Sequence, residues 1–264
     1  MAVGGERRGG ARGGGEPAAR PLAASTRASG RDTLARRKPG DQAEPSPGVS
    51  AAVAHPGRAR RLGLYGGSFD PVHAGHLHVA RAAHAARALE RVLFVPAARP
   101  PHKPGRELAP AEHRLAMLEI ALAHEPAFAL DARELSRPGP SYTIDTLRAI
   151  EAEQGGPQAV ELYLILGSDN LAGLAGWRAL AELLRRAQPV VVPRAGDPPG
   201  LPARLRRALG PELCERLERG FLSCAPVEVA ACELRAALAC GEDPGPALPP
   251  GVLEYVRAHG LYRA

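Results

Sequence analysis

The chain has 264 residues, enough for one or two domains, and it holds no run of eighteen apolar residues that would cross a membrane. Its formal charge of +6 invites a nucleic-acid reading, but residues 1–60 hold eleven Lys/Arg against five Asp/Glu, while residues 61–264 hold twenty-three of each. The basic excess belongs to the N-terminal segment, so no charge-driven affinity for nucleic acid is expected of the rest.

Residues 1–60 are rich in Gly, Ala, Arg and Pro and nearly devoid of aromatic and β-branched apolar side chains. Such a segment buries too little apolar surface to offset ordering entropy and is expected to be a disordered tail, with at most weak anion binding through Arg36, Arg37 and Lys38. No apolar stretch follows its early arginines as a secretory signal requires, and Glu6, Glu16, Asp32, Asp41 and Glu44 argue against a transit peptide. Cys214, Cys224, Cys232 and Cys240 form no C-x-x-C pair, so they read as free thiols in a reducing cytoplasm, not as a zinc site.

Residues 61–264 read as one domain. The apolar run at 61–65 predicts a strand, and the Ala/Leu-rich run 77–89, free of Gly and Pro, predicts a helix. Further strands are expected at 91–96, 128–130, 160–166, 189–192 and, as a strand-like segment, 221–229. Helices are expected at 111–123, from a cap at Ser141 or Thr143, at 177–187, over a broken 201–217, and at 232–239 and 250–259. Strands alternating with helices predict an α/β fold, a Rossmann-like, doubly wound parallel sheet, with ligands at the carboxyl ends of the strands.

Three such ends carry polar clusters. After the first strand comes Gly66-Gly67-Ser68-Phe69-Asp70-Pro71-Val72-His73-Ala74-Gly75-His76. A glycine-rich turn running into a helix start lets backbone N–H groups converge on a phosphate, and His73 and His76 add donors one helical turn apart. The run matches neither the G-K-[ST] ending of a P-loop nor G-x-G-x-x-G. Asp70 before Pro71 reads as a local turn cap. After the second strand stands Pro101-His102-Lys103, with Lys103 as a cation on a proline-stiffened loop, and after Leu166 stands Gly167-Ser168-Asp169.

The first motif resembles the nucleotidyltransferase pattern G-x-F-D-P-x-H-x-G-H. With Pro100 to Lys103, Ser141 to Leu147, Leu166 to Asp169, Trp177 and the ending 248–262, residues 61–264 resemble the bacterial nicotinate-mononucleotide adenylyltransferases. The resemblance implies transfer of AMP from ATP to nicotinate mononucleotide, giving deamido-NAD and pyrophosphate in NAD biosynthesis. It implies ATP contacts at Gly66, Gly67, Ser68, Phe69, His73, His76, Gly167, Asp169 and Arg235. It implies pyridine-nucleotide contacts at Thr143 and Trp177, and catalytic roles for His73, His76, Lys103 and Arg235. It also implies Mg²⁺ held mainly through ATP phosphates, with no metal ligand assigned to the protein. The partners expected are therefore ATP and nicotinate mononucleotide, with no membrane and no specific nucleic acid, and the oligomeric state is unassigned.

One stretch departs from the family pattern. Where the family usually has Ser-Ser-Thr ahead of its arginine, this chain has Ala230-Ala231-Cys232 ahead of Arg235. Lost hydroxyl donors shift phosphate binding onto His73, His76, nearby backbone N–H groups and a weak Cys232 S–H. Two alternatives follow: a catalytically weakened nucleotide-binding homologue, and an adenylyltransferase acting on nicotinamide mononucleotide. A pantetheine-phosphate adenylyltransferase would carry Thr in place of His73, and a class I synthetase needs a K-M-S-K-S loop that is absent.

Overall fold

A computed structural model describes residues 59–99, 107–226 and 228–263; the expected tail up to residue 58 and Lys103 lie outside the described residues, while Arg60, placed in the tail by the sequence, opens the first strand. Five parallel strands form one sheet: β1 (Arg60–Gly67), β2 (Arg91–Pro96), β3 (Phe128–Leu130), β4 (Val160–Gly167) and β5 (Ala187–Val192), in the order β3-β2-β1-β4-β5. Register pairs Leu64 of β1 with Leu93 of β2 on one side and Leu164 of β4 on the other. Central strands bury both faces, which is why Leu62, Leu64, Leu93, Phe94, Leu164 and Ile165 are all at or below 1 % exposed.

Alternate strand residues feed two separate cores. Beyond the short α3 (Arg133–Ser136), one face has Leu62, Leu64, Leu162 and Leu166 packed against α4 (Thr143–Glu153), α5 (Leu171–Leu174), α6 (Leu180–Arg186) and the pair α7 (Ala203–Ala208) and α8 (Pro211–Glu218). On the other, Phe94, Tyr163, Ile165 and Val190 pack against α1 (Ala74–Arg87), α2 (Ala111–Leu122) and α10 (Pro250–Ala258). Leu234 of α9 (Ala231–Ala239) joins this second layer. The chain winds from β1 outward through β2 and β3, then crosses back to β4 beside β1. The carboxyl ends of β1 and β4 are therefore the switch point of a doubly wound sheet, where a crevice opens.

Four local readings are corrected by packing. Helix α1 begins at Ala74, three residues earlier than the Ala/Leu pattern indicated, with His73 as N-cap, so both histidines belong to the helix start itself. Neither Ser141 nor Thr143 caps α4. The cap position is Tyr142, which makes no side-chain cap, and the Ser141 hydroxyl accepts the Ala98 N–H at 3.0 Å. Trp177 lies in a turn, not in a helix, because Ala179 takes a left-handed conformation (φ 52°) immediately before α6. The strand-like segment 221–229 contributes a single bridge, Val191 to Phe221; Pro226 removes one ladder donor, and the Val229 carbonyl is taken by Arg194.

Candidate active site

Two cavities meet in the crevice. One, of about 220 Å³, is lined by the β1–α1 turn with His73 and His76, by Gly167 and Asp169 after β4, by Arg194 after β5, and by Ala230, Ala231 and Cys232 at the start of α9. The other, of about 270 Å³, is lined by Ser141, Tyr142, Thr143, Glu134, Trp177 and Arg178 among others. Gly66, Gly67, Ser68, Asp169 and Asn170 line both. The two spaces thus share a wall at the switch point.

The histidines are placed by helix geometry. The His76 Nδ1 accepts the His73 N–H at 3.2 Å, which puts the proton of the neutral ring on Nε2. The two rings stack with centroids 3.7 Å apart. Phe69, 1 % exposed and at positive φ (46°), sets its ring edge-on to His76 at 4.9 Å and acts as a supporting wall. His73 is buried, and its Nδ1 has no hydrogen bond of good geometry. Burial, with the nearby Arg194 charge adding to it, pushes its pKa down to about 3. The free site therefore presents a neutral imidazole, and an anion beside it would favour the charged form.

Two glycines are explained by what surrounds them. A Cβ at Gly67 would stand 3.0 Å from the Phe69 ring, and one at Gly167 would collide with the Asp169 carboxylate. Gly66 differs: nothing lies within 4 Å of its Cβ position, so the missing side chain leaves space for a ligand.

Asp70 is not the local cap that its position before Pro71 implied. It is 2 % exposed, and its Oδ1 accepts the Ala109 N–H at 3.2 Å and the Tyr262 hydroxyl at 2.7 Å. Burial and the adjacent carboxylate push the Tyr262 phenol well above its usual range, so it stays a donor. The Asp70 carbonyl accepts from Arg235 Nη1 at 2.7 Å, which places Arg235 against the phosphate turn though not among the side chains lining the cavity. Buried Arg114 donates to the carbonyls of Ser68 and Ala97, both at 2.8 Å, and of Ala109 at 3.0 Å. One cation thereby ties the loops after β1 and β2 to the start of α2.

Arg194 escaped the sequence reading. It donates to Asp169 Oδ2 at 2.9 Å and to the Val229 carbonyl, and its N–H reaches Ser168 Oγ at 2.8 Å. It supplies a cation in the cavity where the hydroxyls before Arg235 are missing. Its position just past the carboxyl end of β5 was the available signal. On the other side, Thr143 is the first residue of α4, and half-buried Trp177 packs against the core beneath.

Among the described residues no group of three or more His, Cys, Asp or Glu is placed to hold a metal ion, and no helix is long and apolar enough to cross a membrane. The four cysteines are free, with Cys214 buried and Cys232 and Cys240 exposed.

An open parallel sheet with a His-x-x-His turn and paired cavities at its switch point is the arrangement that the nucleotidyltransferase resemblance implies. The family model described as Cytidylyltransferase-like matches residues 64–229. A probable nicotinate-nucleotide adenylyltransferase of Roseiflexus sp. is 42% identical over 202 residues, spanning 76% of this chain and 98% of that one. One of Gloeobacter violaceus is 42% identical over 205 residues, spanning 76% and 96%. A solved structure of Plasmodium falciparum nicotinic acid mononucleotide adenylyltransferase complexed with NaAD shares the fold at TM-score 0.61 and 17% identity, covering 77% of this chain and 97% of that chain. The chain belongs to the nicotinate-nucleotide adenylyltransferase family.

Proposed function

We propose that this protein joins ATP to nicotinate mononucleotide, forming deamido-NAD and pyrophosphate. The observation that carries the reading is the pair of cavities sharing Gly66, Gly67, Ser68, Asp169 and Asn170, one holding the histidines and the other Thr143 and Trp177. ATP occupies the histidine side and the mononucleotide the Trp177 side, and their phosphates meet at the shared wall.

A phosphate oxygen of the mononucleotide attacks the α-phosphorus of ATP. The new P–O bond forms as the bond to the bridging β-phosphate oxygen breaks, and pyrophosphate departs with that electron pair. The attacking phosphate is already ionised near neutral pH, so no general base is needed, and catalysis rests on alignment and on stabilising the leaving charge. His76 Nε2–H and the start of α1, a helix N-terminus of partial positive charge, serve the leaving phosphates. His73 takes up a proton or donates as the anions arrive. Arg194 adds fixed charge, and Arg235 braces the turn through the Asp70 carbonyl while keeping further N–H donors for phosphate. The resemblance adds Lys103 to this set as a further cation for the phosphates.

In this reading Mg²⁺ would be held mainly through the ATP phosphates, since among the described residues Asp169 is already paired with Arg194 and Asp70 with Ala109 and Tyr262. When bound, it neutralises phosphate charge during transfer. Residues 61–264 form the catalytic domain, residues 1–60 contribute nothing to turnover, and the free thiols suit a reducing cytoplasm.

The test is pyrophosphate release from ATP with nicotinate mononucleotide and, separately, with nicotinamide mononucleotide, in wild type and His76→Ala. Turnover with the acid that collapses in His76→Ala, without matching loss of thermal stability, is expected. Tight ATP binding with no turnover would replace the enzyme by a nucleotide-binding homologue, and preference for the amide would overturn the acceptor.

A further inference from the structure

We propose that Arg178 is a specificity residue that selects a carboxylate over a carboxamide on the pyridine ring; the inference rests on the functional reading above. The larger cavity has three charged residues in its lining, Glu134, Asp169 and Arg178. Asp169 is neutralised by Arg194 at 2.9 Å. Glu134 is 6 % exposed, and burial pushes its carboxyl upward toward the neutral form while the Thr146 hydroxyl donates to Oε1 at 2.6 Å. What charge Glu134 keeps is countered by Arg137. Arg178 is left as a charged lining residue with no ion pair among the described residues.

Its position is held. The guanidinium lies 4.7 Å from the centroid of the Tyr142 ring, immediately before the first residue of α4. Trp177, its chain neighbour, lines the same cavity with Thr143. Shape cannot separate a nicotinate from a nicotinamide ring, because carboxylate and carboxamide are almost the same size. Charge and donor pattern can. A carboxylate accepts two parallel N–H groups from a guanidinium, whereas an amide offers one acceptor and turns its own donors toward other donors. Arg178 is exposed to solvent, so its charge is screened and the discrimination is moderate.

The experiment is kcat/KM with nicotinate mononucleotide and with nicotinamide mononucleotide for wild type, Arg178→Gln and Arg178→Glu. The acid-to-amide ratio is expected to fall about tenfold in Arg178→Gln and further in Arg178→Glu, where the local charge is reversed. An unchanged ratio in both variants overturns the proposal, including the case in which both substrates decline together, because that marks Arg178 as a prop for Tyr142. A wild type that uses neither mononucleotide overturns the functional reading and this proposal with it. The wild-type arm therefore reports on function, and the ratio on Arg178.

Discussion

Replacing His73 by Asn should remove a specific piece of the protein's acid sensitivity. The imidazole is 1 % exposed, and its pKa is pushed from 6.5 down to about 3, chiefly by burial. In the folded protein the ring therefore stays neutral to about pH 3, whereas in the unfolded chain it takes up a proton below about pH 6.5. Its contribution is complete above pH 6.5 and is lost progressively as the pH falls toward 3. Between pH 7.5 and pH 5 the loss comes to about 2 kcal/mol. For a chain of this size that corresponds to a urea midpoint lower by about 1 M. Glu134, whose carboxyl is pushed up by burial, contributes with the opposite slope, losing stability as pH rises, and it cancels when two variants are compared. The assay is urea unfolding of wild type and His73→Asn at both pH values. A fixed destabilisation of the variant at both does not matter; the acid-induced loss should be smaller in the variant by about 2 kcal/mol. Equal losses in the two proteins would show that His73 does not titrate as its burial dictates, and the neutral imidazole in the free site would have to be abandoned.

Two further substitutions separate site from scaffold. Gly66→Val places its Cβ where no atom lies within 4 Å and should leave the thermal midpoint within a few degrees, yet it should lower kcat/KM on the order of 100-fold by filling the junction of the cavities; parallel loss of folding and activity would refute this. Tyr262→Phe removes the donor to buried Asp70 and should cost about 1.5–3 kcal/mol in chemical denaturation, with reduced turnover, while an unaltered stability would mean that the contact at 2.7 Å contributes nothing.

Much of this architecture was legible because apolar runs of strand length alternate with helical spacing, and because glycine, histidine and aspartate gather where strands end. Those signals are local. Trp177 sits in a run, Trp-Arg-Ala-Leu-Ala-Glu-Leu-Leu, whose helical propensity is good, yet the turn at Ala179 overrides it and leaves the indole on the cavity wall. Asp70 looked like a turn cap because nothing nearby in sequence shows that Ala109 and Tyr262 will converge on it. Arg114 is invisible for the same reason. Its carbonyl partners at Ser68 and Ala97 lie 46 and 17 residues away, and a buried arginine in a helical pattern reads as a solvent-facing one. Arg194 follows the apolar run of β5 directly, and its pairing with Asp169 and the Val229 carbonyl, 25 and 35 residues away, is a tertiary contact that local sequence does not show.

The hydroxyl of Tyr262 reaches a carboxylate 192 positions earlier in the chain. During synthesis β1 and α1 leave the ribosome long before that tyrosine is joined, so the phosphate turn spends most of its early life with one of its braces missing. A nascent fragment that has already formed its first βαβ unit would still lack the Tyr262 contact to Asp70, which comes from the turn that follows α10.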